Sequence, residues 1–145
     1  MPNKDKYHEN VKNALRKDGW IITDDPLHLK WGRKDLYVDL GAEKLVIAEK
    51  GSQKIAVEIK TFGSHSEVAD LQQAIGQYFT YLAVIKRTYP ERELYIATHE
   101  EIFNDIFAEE PLGQLLLKEY EIPLIIFDPQ REVITQWLNC QNTEK

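Results

Sequence analysis

"GRKDLYVDLGAEKLVIAEKGSQKIAVEIKTF", residues 32–62, is the stretch on which the fold turns. Leu36, Val38 and Leu40 alternate with Asp35, Tyr37 and Asp39, and Ile55, Val57 and Ile59 alternate with Ala56, Glu58 and Lys60. A two-residue period puts one set of side chains on an oily face and the other on a wet face, which is the pattern of a β-strand. Three such runs are legible, at 36–40, 45–49 and 55–60, with "GAEK" and "KGSQ" as the turns between them. Connections this short predict an antiparallel meander. The first and third strands of a meander run the same way, so Asp39, Glu58 and Lys60 gather at one edge, on outer strands about 10 Å apart. If Leu36, Val38 and Leu40 share the core face with Ile55, Val57 and Ile59, the three polar residues share the other face.

Outward from this block, residues 4–17 carry Tyr7, Val11, Ala14 and Leu15 at helical spacing, with Gly19 beyond them as a stop. "WIIT" reads as a short strand ended by "DDP". A long helix is expected over about 66–86, with Ser64 and Glu67 at capping-box spacing and a core stripe of Leu71, Ile75, Tyr78, Leu82 and Ile85. "ELYIAT" reads as a buried strand, "EEIFNDIF" and "LGQLLLKEY" as short helices, and "PLIIFDP" and "EVITQWL" as closing strands. Leu115 to Leu117 and the residues from Ile122 onward are expected in the core. Helix, strands, long helix, strand, helices, strands is the order of an α/β sandwich with a mixed sheet flanked by helices. No linker or repeat divides residues 1–145, so one domain is expected.

Composition narrows the function classes. A single Cys140 excludes an internal disulfide or a zinc site built on several thiolates. His8, His28, His65 and His99 lack the close spacing of a helical metal pair. No signal peptide or membrane-length apolar run is visible, so a cytoplasmic protein with no membrane partner is the default expectation. The net charge of −6 argues against a protein that coats nucleic acid non-specifically. It leaves room for an enzyme that meets DNA locally, because ligating carboxylates add negative charge that a bound cation offsets.

Asp39 and Glu58, with a backbone carbonyl and water, make a hard-oxygen site suited to Mg²⁺ or Mn²⁺. Such an ion polarises a phosphoryl oxygen and helps generate hydroxide. Lys60 beside it can orient the attacking water or offset charge on the phosphate. These are the parts needed to cut a phosphodiester.

An Asp followed nineteen residues later by Glu-x-Lys, on strands entered from a helix, resembles the PD-(D/E)xK nuclease superfamily. In that superfamily the helix after Glu-x-Lys follows directly, as the helix from Ser66 does here. The resemblance makes Glu9 on the first helix an additional acidic ligand. It also makes Gln77 a catalytic support and pairs it with Tyr81 in Gln-x-x-x-Tyr spacing. Val38 stands where the motif has Pro. More narrowly, "YVDLGAEKLVIAEKGSQKIAVEIKTF", "LQQAIGQYFTYL" and "RELYIAT" resemble the XisH family, the fdxN element excision controlling factors, over about residues 6–137. The likeness implies a restriction-endonuclease-like fold. It also implies a role in programmed excision of a DNA element beside a site-specific recombinase and a partner, XisI.

Each of these residues also has an ordinary reading. Glu58 and Lys60 can be a solvated pair worth under about 1 kcal/mol. Gln73, Gln77 and Tyr81 can be one packing face of a helix, and Gly76 a close approach of helix to sheet. Glu9 and Glu49 can be surface acids. Lys30, Arg33 and Lys34 suit either phosphate contacts or a solvated loop. Ser64 and His65 lack a nucleophile elbow, which argues against a serine hydrolase. Three function classes remain open: an excision factor that cuts DNA, a non-catalytic partner-binding protein on the same fold, and a defence or toxin nuclease. Cutting both strands usually needs two sites, which leaves a homodimer open.

Overall fold

The structure, a computed structural model, describes residues 5–46, 51–62 and 66–139. Helix α1 (His8–Lys17) leads into β1 (Ile21–Asp24), β2 (Leu27–Trp31), β3 (Lys34–Val38), β4 (Leu40–Val46) and β5 (Gly51–Ile59). The long helix α2 (Glu67–Thr88) and β6 (Arg92–His99) follow. A single helical turn, α3 (Glu100–Ile102), widens into a π-helical stretch at Phe103–Ala108. Helix α4 (Pro111–Tyr120) and the strands β7 (Leu124–Asp128) and β8 (Val133–Leu138) complete the described chain.

Six strands form one mixed sheet in the order β1-β4-β5-β6-β7-β8. The β5–β6–β7 centre is parallel and its flanks are antiparallel. A parallel step needs a crossover, and α2 supplies it between β5 and β6. Layers of core lie on both faces. On one side α1 presses Val11 and Leu15 onto Leu40, Ile55, Val57, Tyr95 and Phe127. On the other, α2 presses Leu71, Ala74, Tyr78, Tyr81 and Ile85 onto Ala56, Leu94, Ile96 and Leu124. The expected α/β sandwich with a mixed sheet is the observed architecture.

The meander is not as expected. "GAEK" does not turn: it lies inside β4, which pairs directly with β5 from Leu40↔Val57 to Val46↔Gly51. Residues 34–38 belong to a different pairing, a two-stranded ribbon in which β3 faces β2. The sequence reading missed β2 because "LHLKW" is short and follows a proline. The face assignment is corrected with it. Leu36 and Val38 pack on the α2 side, whereas Leu40, Ile55, Val57 and Ile59 pack on the α1 side, since the chain changes sheets at Asp39.

Smaller corrections concern α2 and α4. Ser66, not Ser64, caps α2, its hydroxyl accepting from the Ala69 N–H. Ser64 and His65 fall outside the described residues, as do Glu49 and Cys140. Gly76 faces open space rather than the sheet. The glycine that permits close approach is Gly113 of α4, where an added Cβ would sit 1.8 Å from the Ile106 carbonyl oxygen. Leu115 is 58% exposed; Leu116 and Leu117 are partly buried and Ile122 is buried.

Candidate functional site

Asp39 is the single residue between the end of β3 and the start of β4. Because Leu40 pairs with Val57, the next step of the antiparallel register sets Asp39 against Glu58. Their strands are adjacent, about 4.8 Å apart rather than the 10 Å of a meander's outer strands. Two hydrogen bonds fix the pair: the Asp39 N–H donates to Glu58 Oε1 at 3.3 Å, and the Ile59 N–H donates to Asp39 Oδ2 at 2.7 Å. Glu58 shares the α2 face of β5 with Ala56, and Lys60 continues it just past the strand.

The electrostatics of this pair are costly. The Glu58 side chain is only 12% exposed. Burial, and then the Asp39 carboxylate, push its pKa up to about 8, while Lys60 pulls the other way. Burial also raises Asp39, against the Ile59 N–H that stabilises its charged form. Lys60 Nζ lies 3.7 Å from Glu58 Oε2 and donates to Gln77 Oε1 on α2. One turn further along α2, burial and then the charges of Glu58 and Asp39 lift the Tyr81 hydroxyl to about 12. The structure therefore brings together Asp39, Glu58, Lys60 and Gln77, with Tyr81 at their border.

Lys60 opens onto a cleft of about 490 Å³ lined by Asp5, Thr61, Phe62, Asp70 and Gln73 among others. Asp5 and Asp70 were missed in the sequence. Asp5 stands in a polar leader without periodicity, and Asp70 reads as a first-turn acid of α2. The charge of Asp5 is felt at Asp39, and its carboxylate is braced by the Tyr7 N–H at 2.8 Å. Glu9 is not brought to this cleft: it projects from α1, 63% exposed, with Lys12 at 3.6 Å. Its neighbours are His8 and Asp25, the one group among the described residues with three ligand-type atoms within 4.8 Å of one another. There Lys12 already supplies a cation, 2.7 Å from Asp25.

Two part-buried carboxyl groups are held side by side with one ammonium 3.7 Å from Glu58, and Glu58 resists ionisation there. Their oxygen donors are those a hard divalent cation prefers. The residues present fit such an ion.

The family model described as XisH protein matches residues 1–135. A crystal structure of an XisH family protein from Nostoc punctiforme is 36% identical. It covers 92% of this chain and 99% of its own, with a TM-score of 0.80. The structure of an fdxN element excision controlling factor protein from Anabaena variabilis is 35% identical over 93% of this chain and 99% of its own, again at 0.80. No functionally curated protein matches. A family pattern matched over residues 1–135 and two solved relatives with the same fold lead to one conclusion: this chain belongs to the XisH family.

Proposed function

We propose that the protein is an excision controlling factor that acts on DNA in programmed site-specific excision, with divalent-metal-assisted phosphodiester cleavage at Asp39, Glu58 and Lys60. The supporting observation is the part-buried Asp39–Glu58 pair with Lys60 3.7 Å from Glu58. Folding that pair without a compensating cation is expensive, and a chain keeps such a cost where the site has a use. The same reading assigns the chain to the PD-(D/E)xK superfamily, whose motif these residues match.

Asp39 and Glu58 would hold Mg²⁺ or Mn²⁺. When bound, the ion supplies Lewis acidity to a phosphoryl oxygen and acidifies water. Lys60, its ammonium aimed by Gln77, orients a water or offsets negative charge growing on the phosphate. Asp5 extends the acidic wall of the cleft from the N-terminal side. Mg²⁺- or Mn²⁺-dependent nicking of duplex DNA, lost in Glu58→Ala and Lys60→Ala, tests this. Folded variants that cut like wild type would show the residues to be wrongly assigned.

A second reading rests on a different surface. At the far end of α2, Tyr78, Phe79, Leu82 and Tyr120 line a groove of about 880 Å³. Phe79 is 40% and Tyr120 52% exposed. That groove, with the net charge of −6, suits a protein partner such as an XisI-like protein or a recombinase. Association at micromolar concentration without cleavage under any divalent ion would favour it over catalysis.

A further inference from the structure

The β2–β3 ribbon is unlike the rest of the molecule. Its base is anchored: Leu27, Leu29 and Val38 are buried in the core beneath α2, and the Tyr89 hydroxyl reaches the His28 carbonyl at 3.5 Å. Its tip is bare. Trp31 pairs with Lys34 across a two-residue turn of Gly32 and Arg33. Gly32 has φ +61, the left-handed conformation that a tight primed hairpin turn needs at its first central position. Lys30, Arg33 and Lys34 are all exposed. None of them makes an ion pair among the described residues. The one acid on the ribbon, Asp35, is tied to His28 at 2.7 Å, and His28 stacks on Tyr37. Trp31, 53% exposed, has no ring partner among the described residues.

Three exposed cations, of which Lys30 alone faces an acid across the ribbon, at Asp35, and a solvent-facing indole within five residues stand out in a chain of net charge −6. A solvated loop does not need a tryptophan, and an apolar protein contact does not need three cations around one. Phosphates flanking a groove need both: lysine and arginine supply backbone affinity, and an aromatic side chain can lie against sugar or base. The major groove, about 12 Å wide, admits a two-stranded β-ribbon. A lipid surface would also attract this composition, but the ribbon's other end argues for DNA. β3 runs from Lys34 to Val38 and the next residue is Asp39. At 3.4 Å per residue Lys34 lies within about 17 Å of the carboxylate pair, and the turn at Gly32 and Arg33 within about 24 Å. That is about half to two-thirds of a turn of B-DNA, or roughly five to seven base pairs.

We infer that the β2–β3 ribbon is a DNA-engaging arm: Lys30, Arg33 and Lys34 grip duplex phosphates roughly half to two-thirds of a helical turn from the Asp39–Glu58 pair, with Trp31 against the groove between them. This rests on the reading that DNA is the substrate, and it names the surface that holds it. The arm also explains how an acidic protein can meet DNA, by concentrating free positive charge in one projection.

The test is the salt dependence of binding to a labelled duplex, followed by anisotropy in EDTA. The wild-type chain is compared with the triple variant K30A/R33A/K34A and with Trp31→Phe and Trp31→Ala. Losing three phosphate contacts lowers the slope of log K against log salt by about 2.7 and weakens binding roughly 100-fold or more at 0.1 M salt. Trp31 emission should be quenched by the duplex in wild type, and that signal should vanish in Trp31→Phe, since Trp20 is buried and Trp137 packs against Trp20 and Tyr95 on the α1 side. All substituted side chains are exposed, so folding should survive, and circular dichroism checks it. A triple variant that binds with the wild-type slope, or a wild type that binds anionic vesicles but not duplex, overturns the arm. A wild type that binds through the ribbon yet never nicks under Mg²⁺ or Mn²⁺ overturns cleavage and leaves the arm standing.

Discussion

Glu58→Gln removes a part-buried ionisable group while keeping its shape. The amide oxygen can still accept from the Asp39 N–H, and the amide nitrogen takes the place of Oε2, 3.7 Å from Lys60 Nζ in wild type. In wild type the Glu58 pKa rises from 4.5 to about 8, through burial first and the Asp39 charge second. The fold therefore prefers the protonated acid. Below pH 4.5 Glu58 is neutral in both folded and unfolded chains and there is no penalty. Between 4.5 and 8 only the unfolded chain releases the proton readily, so stability falls by about 1.4 kcal/mol per pH unit. Above 8 the loss levels off. At pH 7 the penalty is about 3 kcal/mol, and burial of Asp39 acts in the same direction. Lys60 loses an anionic partner in the variant, which offsets part of the gain. The expected net gain at pH 7 is about 2 kcal/mol, or roughly 4–8 °C in Tm for a chain of this size. At pH 4 it should be near zero. Mn²⁺ at a hundredfold excess over its Kd should stabilise wild type by about 2.7 kcal/mol and leave the variant unmoved. Denaturant titrations at pH 4, 5.5, 7 and 8.5, with and without Mn²⁺, measure all of this. Equal stability of the two proteins across that range, or equal response to Mn²⁺, would refute the account of the pair as a cation site.

Gln77→Leu removes the acceptor that aims Lys60 and should lower any metal-dependent nicking about tenfold, with folding intact by circular dichroism. Mild loss of binding to the duplex with full cutting would contradict its positioning role. Asp25→Asn probes the opposite pH sign. Burial raises the Asp25 pKa, but hydrogen bonds from Lys12 and His8 outweigh it and bring the net value down. Its contribution is therefore present at neutral pH and fades as pH falls below the carboxylate range. The variant should cost about 1 kcal/mol at pH 7 after screening by solvent, and that cost should shrink as the pH falls through and below the carboxylate range, read by urea melts. Gly113→Ala drives a Cβ into the Ile106 carbonyl, a backbone atom that cannot swing aside. It should cost about 1–3 kcal/mol or more, with the loss visible in thermal melts and the duplex affinity unchanged.

The architecture was legible where the hydrophobic period was long and strict. α2, β5, β6 and β7 were all readable because a helix or a buried strand of that length writes its period into every residue. The order of these elements fixed the crossover and so the mixed sheet. Glu58 and Lys60 could be picked out because they alternate along one run and Asp39 because it closes another, whereas Gln77 came only from the resemblance to the nuclease motif.

Local alternation could not tell which strand pairs with which. The run 36–40 has a two-residue period, yet it spans two sheets: Leu36 and Val38 belong to the ribbon and Leu40 to the main sheet. Pairing is a non-local choice, settled by which partner buries each face, so the direct Asp39–Glu58 contact appears only in the folded chain. Glu9 and Asp5 differ by one helical turn and a change of direction, and only packing of α1 decides which acid reaches the cleft of Lys60. The sequence determined which chemistry-bearing residues the chain owns. Tertiary structure decided which of them share a low-dielectric pocket, because burial and mutual repulsion exist only after distant strands have been brought within hydrogen-bonding distance.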